Sequence, residues 1–419
     1  MQSSTITLLK DKPILLAVTG SIAAYKAVDL ASKLTQAGAQ VDVILTEAAQ
    51  RFVAPLTFEA VTGRSVHTDM WTSAHGDLPT HIAHIGLAEK AALLAVVPAT
   101  ADSIARLAHG FAADLLGVIA LASRCPLLIA PAMDGSMYQH PAVQQNLAFL
   151  RERGAIVVQP EEGRFASGLY GLGRLPETPT LIGEIRRALG RSGPLRGAQI
   201  VVTAGGTREP IDPVRFVTNR SSGKQGYALA QAALDAGAQV TLISAARGLP
   251  APVGARLVQV DTAEQMHNAV MAASTSADAL IMAAAVSDFK PFAPAEQKIK
   301  KNEETDSPLI LTLERTVDIL GAIKERRRVT RWPRVVVGFA AESENLLENG
   351  QQKLERKGLD LLIANDIRAV DAGFDVDTNR VVLLMAGAPP EQLDLMSKTA
   401  LSELIMERLA QLLEGRRAS

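Results

Sequence analysis

A chain of 419 residues is too long for one ordinary hydrophobic core and predicts two domains. With 47% apolar and 21% charged residues and a formal net charge of -1, it has the profile of a globular protein without general attraction to nucleic acid or anionic lipid. An aromatic content of 4% argues against a stacking platform for single strands, and one cysteine, Cys125, excludes an internal disulfide.

The first residues, MQSSTITLLKDKP, lack the basic-then-apolar profile of a signal peptide. No apolar run approaches the ~20 residues needed to span a bilayer. The expectation is a soluble, cytoplasmic protein with no membrane and no nucleic-acid partner. Ile14 to Thr19 is a short apolar run that ends in Gly20-Ser21. A helical pattern follows, with Ile22, Leu30 and Leu34 on its apolar side, then Gly38 and a second run, Val41 to Leu45. Strand, glycine turn, helix, strand is the opening of a doubly wound α/β domain. Leu93 to Val97 and Leu127 to Ala130 read as further strands, apolar enough for a parallel sheet covered on both faces.

The pattern then restarts. Arg191 to Gly197 is a joint rich in glycine, proline and arginine, and Gln199 to Thr203 runs into Ala204-Gly205-Gly206. Ala236-Gly-Ala-Gln-Val240 echoes Ala37-Gly-Ala-Gln-Val41, as two αβ junctions of one kind would. The basic run Arg326 to Arg328 reads as a solvated helix end. The predicted fold is α/β with two Rossmann-like doubly wound domains, residues 1–190 and 191–419. Ligands of such sheets bind at the carboxyl ends of the strands, which singles out the loops at Gly20, Pro98, Pro131, Gly205, Ala285 and Phe339.

Neither glycine turn is a dinucleotide fingerprint, since TGSIAAYK and TAGGTREP both lack the third glycine. Gly223-Lys224 is not a P-loop, because Thr218 stands at the first glycine position and Gln225 follows the lysine.

Thr19 to Lys26, Ala83-His84-Ile85, Pro98-Ala-Thr-Ala-Asp102 and Pro131-Ala-Met-Asp-Gly-Ser-Met137, in this order, resemble the motif series of the flavin-containing cysteine decarboxylases over residues 13 to about 175. The resemblance implies FMN, held by Gly20, Ser21, Thr46, Thr100 and Ser123, with His84 as catalytic base. A serine hydroxyl and free N–H groups at a helix start suit a phosphate monoester, and a histidine can take a proton near neutral pH. The chain departs from that family's pattern twice. Asp134 replaces the asparagine that follows Pro-Ala-Met, and Ser167 replaces the cysteine of the flexible lid. In relatives flavin oxidises the cysteine moiety, carbon dioxide leaves, and the lid cysteine donates a proton as hydride returns. Serine is a far weaker acid. Asp134 repels a substrate carboxylate if ionised, and mimics the amide donor if burial keeps it protonated. Cys125, at the start of a strand, points to the wrong end of the sheet to replace the lid residue.

From residue 198 to about residue 385 the chain resembles the phosphopantothenate–cysteine ligases. The signature is Thr203 to Gly226, Ala283-Ala-Ala-Val-Ser-Asp288, Lys298-Ile-Lys-Lys301, Val337 to Glu342 and Ala364-Asn-Asp366. The resemblance implies CTP as co-substrate, with an acyl-cytidylate intermediate that the cysteine amine attacks. Asp288, Phe339, Lys353 and Lys357 would hold the nucleotide, Asn219 the activated carbonyl, and Lys298 would assist nucleotidyl transfer, with Ala285 beside them. A triphosphate needs Mg²⁺ and lysines against its charge, although the metal ligands are not legible. Gly205 and Gly206 admit backbone close to phosphate oxygens. Lys353 and Lys357 share a helix face. Lys300 and Lys301 read as solvent-facing, Asp366 as a helix cap, and Arg215 and Arg220 as either phosphate ligands or contacts with a second copy.

The expected activity is therefore CTP-dependent ligation of cysteine to 4'-phosphopantothenate, followed by FMN-dependent decarboxylation to 4'-phosphopantetheine, in a homo-oligomer. The rival is a ligase whose first half only binds flavin or releases an unreduced enethiol.

Overall fold

A computed structural model describes residues 6–70, 80–300, 309–342, 345–366 and 378–418. The chain divides into two compact units, Met1–Gly190 and Arg191–Ser419.

The first unit runs β1 (Pro13–Val18), α1 (Ala24–Gln36), β2 (Gln40–Leu45), α2 (Pro55–Thr62), β3 (Val66–His67), α3 (Thr80–Lys90), β4 (Leu93–Ala99), α4 (Ala101–His109) and α5 (Leu115–Ala122). It continues through β5 (Leu127–Pro131), α6 (Gly135–Gln139), α7 (Pro141–Glu152), β6 (Ile156–Val157), the hairpin β7 (Glu161–Arg164) and β8 (Tyr170–Arg174), and α8 (Thr178–Gly190). The main sheet has the order β3-β2-β1-β4-β5-β6 and is parallel throughout. Its core strands are buried on both faces, which is why they read as unbroken apolar runs. The strand order reverses between β1 and β4, so a crevice opens there at the carboxyl edge.

Helix α1 begins at Ala24, later than the apolar pattern implied. Ile22 lies outside the helix and is 61% exposed, so only Leu30 and Leu34 of the expected trio reach the core. Residues 21–23 are spent on the turn that leaves β1.

The second unit runs β9 (Gln199–Ala204), the ribbon β10 (Arg208–Pro210) and β11 (Phe216–Thr218), α9 (Lys224–Asp235), β12 (Gln239–Ser244), β13 (Arg256–Gln259), α10 (Ala263–Ala273) and β14 (Ala279–Met282). A second ribbon, β15 (Phe289–Pro291) with β16 (Leu313–Arg315), precedes α11 (Ile319–Thr330), β17 (Val335–Glu342), α12 (Leu346–Lys357) and β18 (Leu361–Asp366). The last elements are β19 (Thr378–Asn379), β20 (Val381–Met385), β21 (Glu391–Gln392), β22 (Met396–Ser397) and α13 (Lys398–Ala418). The sheet order is β13-β12-β9-β14-β17-β18-β20-β21. Its first six strands are parallel and repeat the order of the first unit, whereas β20 runs antiparallel to β18.

The basic run at the end of α11 is not a solvated tail. Arg326 donates to Met271 O and Ser274 Oγ, and Arg327 pairs with Asp360 at 2.8 Å while donating to the carbonyls of Gly358 and Arg334. Guanidinium forks collect carbonyls at loop ends that no sheet hydrogen bond reaches. Only Arg328 projects outward.

Candidate functional site

In the first unit the crevice is built around a hydroxyl bridge between β1 and β4. Thr19 Oγ1 donates to Pro98 O at 2.8 Å and accepts from Thr100 N–H at 3.0 Å, which joins the two strand ends at the switch point. Thr19 is a positioning residue that carried no role in the sequence. Thr100 in turn caps α4 by accepting from Ser103 N–H at 3.3 Å. Gly20 is needed for closeness rather than for backbone freedom, because a Cβ there would lie 2.4 Å from Ala48 Cβ. Ser21 Oγ accepts from Ala23 N–H at 3.3 Å and lies 3.5 Å from Ala132 O. The next helix has Ala23 at its N-cap, and its opening turn is tied to Ser21 and Ala23: Ala24 N–H donates to Ser21 O at 2.9 Å and Lys26 N–H to Ala23 O at 3.0 Å. Thr46 Oγ1 sits over the end of β1, near Val18 O. Ser123 Oγ is buried without a hydrogen-bond partner of ordinary geometry; its polar neighbour is the Cys125 thiol, whose pKa burial raises despite the Ser123 contact. Ser123 follows α5 and sits with Cys125 and Leu94 where β5 and β4 begin, at the amino edge of the sheet, so the structure does not bring it to the crevice at the carboxyl edge. The side chain of His84, on α3, lies outside the described residues.

Asp134 and Ser167, the two departures from the decarboxylase pattern, are hydrogen-bonded to one another. Ser167 Oγ donates to Asp134 Oδ2 at 2.7 Å. Asp134 is also the N-cap of α6, accepting from Ser136 N–H at 3.2 Å and Ser136 Oγ at 3.1 Å. The Ser167 hydrogen bond, followed by those from Ser136, holds the Asp134 carboxyl below its usual range against the small effect of burial. A protonated Asp134 imitating an amide donor is therefore the wrong expectation: three donors converge on it, and each favours the carboxylate. The hairpin that carries Ser167 is fixed from beneath. Met133 N–H donates to Gly173 O at 3.1 Å, and Gly135 and Gly171 pack on the Phe165 ring.

In the second unit a cavity of about 890 Å³ opens at the carboxyl edge, where the order reverses between β9 and β14. Asn219, Ala285, Asp288, Phe339, Lys353 and Lys357 all line it. They come from four separate segments of the chain, so the fold alone assembles them. Asn219 spends one amide N–H on Val286 O at 3.0 Å and keeps the other. Lys353 Nζ donates to Phe339 O at 3.0 Å. Arg220 and the turn Ser221-Ser222-Gly223, which starts α9, form the adjoining wall.

Gly205 and Gly206 do not belong to that wall. Both are buried behind it. Gly205, with φ +82°, packs against the backbone of Ala245 and Ala246, where a Cβ would come within 2.3 Å of Ala246 N. A Cβ on Gly206 would meet Asn219 O at 2.5 Å. Gly205 O accepts from Ala285 N–H at 2.9 Å, so the pair holds the lining loop in place without touching its contents. Lys298 is exposed and outside the lining, on a segment pinned through Ile299 N–H to Asp212 Oδ2 at 3.2 Å. Arg215 is committed to the same pin, donating to Asp212 Oδ2 and to Ile299 O, each at 3.3 Å. Of the two arginines, Arg220 is the one at the cavity. Lys300 is exposed; Lys301 and the Asp366 side chain lie outside the described residues.

Asp318, absent from the sequence reading, lines the cavity and forms an ion pair with Lys357. It is the N-cap of α11, accepting from Gly321 N–H at 3.0 Å. Burial raises its pKa, but the Lys357 hydrogen bond, the Gly321 N–H and the nearby charges of Lys357 and Arg356 outweigh burial and hold it below 3.8. With a depressed folded value, its contribution to stability is complete above about pH 4 and is lost as pH falls through that value. Asp318→Asn is expected to remove this part of the acid-induced fall in melting temperature, measured from about pH 5 to about pH 2. An unchanged profile refutes the ion pair's role.

Residues 2–190 match the family model described as Flavoprotein, and residues 195–413 match that of the DNA/pantothenate metabolism flavoprotein C-terminal domain. The chain is 44% identical over 408 residues to the coenzyme A biosynthesis bifunctional protein CoaBC of Bacillus subtilis (strain 168), covering 97% of this chain and 98% of that protein. The chain belongs to the CoaBC family. The CoaBC of Mycobacterium tuberculosis (strain ATCC 25618 / H37Rv) is also 44% identical, over 415 residues, covering 96% of this chain and 97% of that one. Among solved structures, the C-terminal domain of a CoaBC is 35% identical, with a TM-score of 0.45, over 54% of this chain and 100% of that one. The FMN-dependent cysteine decarboxylase SpaF is 32% identical, with a TM-score of 0.37, over 44% of this chain and 97% of that one. No helix among the described residues is long and apolar enough to cross a membrane.

Proposed function

We propose that this CoaBC member ligates cysteine to 4'-phosphopantothenate at the expense of CTP in its second unit, and decarboxylates the product to 4'-phosphopantetheine with FMN in its first. The observation that carries the reading is the convergence of Asn219, Asp288, Lys353 and Lys357 on one cavity at the switch point. The two lysines sit at i and i+4 of α12 and offset triphosphate charge on one side. Mg²⁺ is assigned to the triphosphate oxygens themselves, which bring the charge it neutralises. Transfer of the cytidylyl group to the substrate carboxylate releases pyrophosphate. The cysteine amine then forms the amide bond, CMP leaves, and one proton is lost from nitrogen. The free N–H of Asn219 is suited to the oxygen that gains charge in both steps. Lys298 is proposed as an assisting cation that a movement of its segment would have to deliver.

In the first unit the residues fit FMN. Ser21 and the start of α1 suit its phosphate, Gly20 lets the turn lie close to Ala48, and Thr46 and Thr100 offer polar contacts, whereas Ser123, at the amino edge, stands outside this set. When bound, FMN supplies the two-electron oxidation and return that decarboxylation of a cysteine moiety needs. His84 is proposed as base. Asp134, ionised at rest, is placed to accept a proton and to return it through Ser167 Oγ. A carboxyl is a stronger acid than a thiol (about 3.9 against about 8.5), so the pair restores the acidity that a lone serine lacks. Cytoplasmic location and a homo-oligomeric assembly complete the proposal. The rival in which the first unit only binds flavin is disfavoured, since relatives named bifunctional align across both units.

Purified protein given 4'-phosphopantothenate, cysteine, CTP and Mg²⁺ is expected to release pyrophosphate and form 4'-phosphopantetheine, followed by mass. Accumulation of 4'-phosphopantothenoylcysteine alone would overturn the decarboxylase half. Silence with both CTP and ATP would overturn the ligase half. Gly20→Ala, by forcing the turn away from Ala48, is expected to weaken flavin retention by about tenfold, since overpacking costs about 1–3 kcal/mol. Flavin released per protein by absorbance checks it; full retention means the turn does not contact the cofactor.

A further inference from the structure

Beyond the lysines and Asn219, the cavity has a second polar wall with no role so far. Asn365, Asn379 and Gln225 line it. Among the described residues, the Oδ1 atoms of Asn365 and Asn379 are buried without a hydrogen-bond partner, and Asn379 as a whole is 5% exposed. The two amides belong to one face of the sheet. Leu361 and Ile363 of β18 pack into the same core as Val381 and Leu383 of β20, and Asn365, two residues beyond Ile363, pairs with Val381. Asn379 lies two residues before Val381 and lines the same cavity. The lysines come from the other face, because Leu354 of their helix α12 packs with Leu362 and Ala364. The orientation of Asn379 is fixed by a chain of bonds. Ser402 Oγ gives its one hydrogen to Lys398 O at 2.7 Å, so it can only accept from Gln225 Nε2, at 2.9 Å. Gln225 Oε1 must then accept from Asn379 Nδ2, at 2.8 Å, which turns Asn379 Oδ1 away from the network.

We infer that Asn365 and Asn379 are the protein's hold on the Mg²⁺ that accompanies the triphosphate, and that their carbonyls accept hydrogen bonds from its bound waters. The inference rests on the ligase reading. Buried acceptors without a partner require a donor. Mg²⁺ keeps several of its waters when it binds with a phosphate chain, and those waters are donors. The neutrality of the two amides suits an ion whose charge the triphosphate already balances. Carboxylates in their place would bind the metal without the nucleotide and would repel the phosphates. The Ser402–Gln225 chain has a purpose in this scheme, since an Asn379 turned the other way would point N–H groups at the cation. Phosphate charge is then met from both faces of the sheet, by ammonium groups on one side and by the metal on the other.

Mn²⁺ is the probe, because its unbound form is counted directly by electron paramagnetic resonance, and CTP without 4'-phosphopantothenate leaves the reaction unstarted. Asn365→Ala and Asn379→Ala are each expected to weaken Mn²⁺ binding to the protein–CTP complex about ten- to a hundredfold, the usual cost of losing a group that steadies a metal through its ligands. CTP binding in EDTA, followed by calorimetry, should stay unchanged, which also shows that the variants fold. Asn365→Asp, which keeps an acceptor and adds negative charge, should tighten Mn²⁺ binding. The inference is overturned if Mn²⁺ binds both alanine variants as it binds the unsubstituted protein, or if Asn365→Asp weakens it. It is equally overturned if CTP binding in EDTA falls as far as Mn²⁺ binding does, since the amides would then hold the nucleotide itself. Failure of the unsubstituted protein to bind CTP, with Mn²⁺ or without, would overturn the ligase reading, and this inference with it.

Discussion

Asn219→Ala is expected to slow pyrophosphate release from 4'-phosphopantothenate and CTP by about 10²–10³-fold, the usual cost of one donor to a developing oxyanion. The Asn219 side chain is anchored by one N–H on Val286 O, so its second N–H is held in position before substrate arrives. An amide is the right group for that place, because it stabilises negative charge without a proton that must be managed. Asn219→Asp makes the sharper comparison, since it keeps the shape, removes the donor and adds charge. It should be at least as slow. The KM for CTP is expected to change little in Asn219→Ala. A variant with near-normal turnover but a raised KM would make Asn219 a ground-state binding group and end the oxyanion proposal.

The second large effect is expected at Ser167. Ser167→Ala leaves Asp134 its bonds to Ser136 but breaks the path from carboxylate to substrate. Release of carbon dioxide is expected to continue, while formation of 4'-phosphopantetheine falls about 10²-fold, the lower end of what a positioned acid contributes. The unreduced enethiol, lighter by two hydrogens, should accumulate in its place. If the two residues act as one unit, Asp134→Asn combined with Ser167→Ala should be no slower than the slower single variant. Additive losses would show that the hydrogen bond between them is only a latch on the hairpin.

Much of the fold was open to reading because the decisive strands are buried on both faces. Runs such as Leu93 to Val97 and Gln199 to Thr203 can hardly be anything but central parallel strands, and each lies inside the strand observed. Ile22 misled because an apolar residue beside a helix fits its periodicity even when it belongs to the turn. Asn219 and Asp288 stand inside the long ordered signature, and Lys353 and Lys357 were named through the family resemblance and their shared helix face. Gly205 and Gly206 were misplaced for a physical reason. A glycine that admits a phosphate and a glycine that admits a neighbouring chain satisfy the same steric demand, and only coordinates distinguish them. Asp318 looks like any helix N-cap until Lys357, 39 positions later, is brought to it. The ionisation of Asp134 was likewise undecidable before Ser167 and Ser136 were seen to point their hydrogens at it.

The reversed direction of β20 has a wider consequence. Residues that precede a strand arrive at the edge where that strand begins, which in a uniformly parallel sheet is the edge remote from the ligand. By entering against its neighbour, β20 delivers Asn379 to the working rim instead. One inverted strand thereby adds a third side to a cleft that the parallel strands leave two-sided.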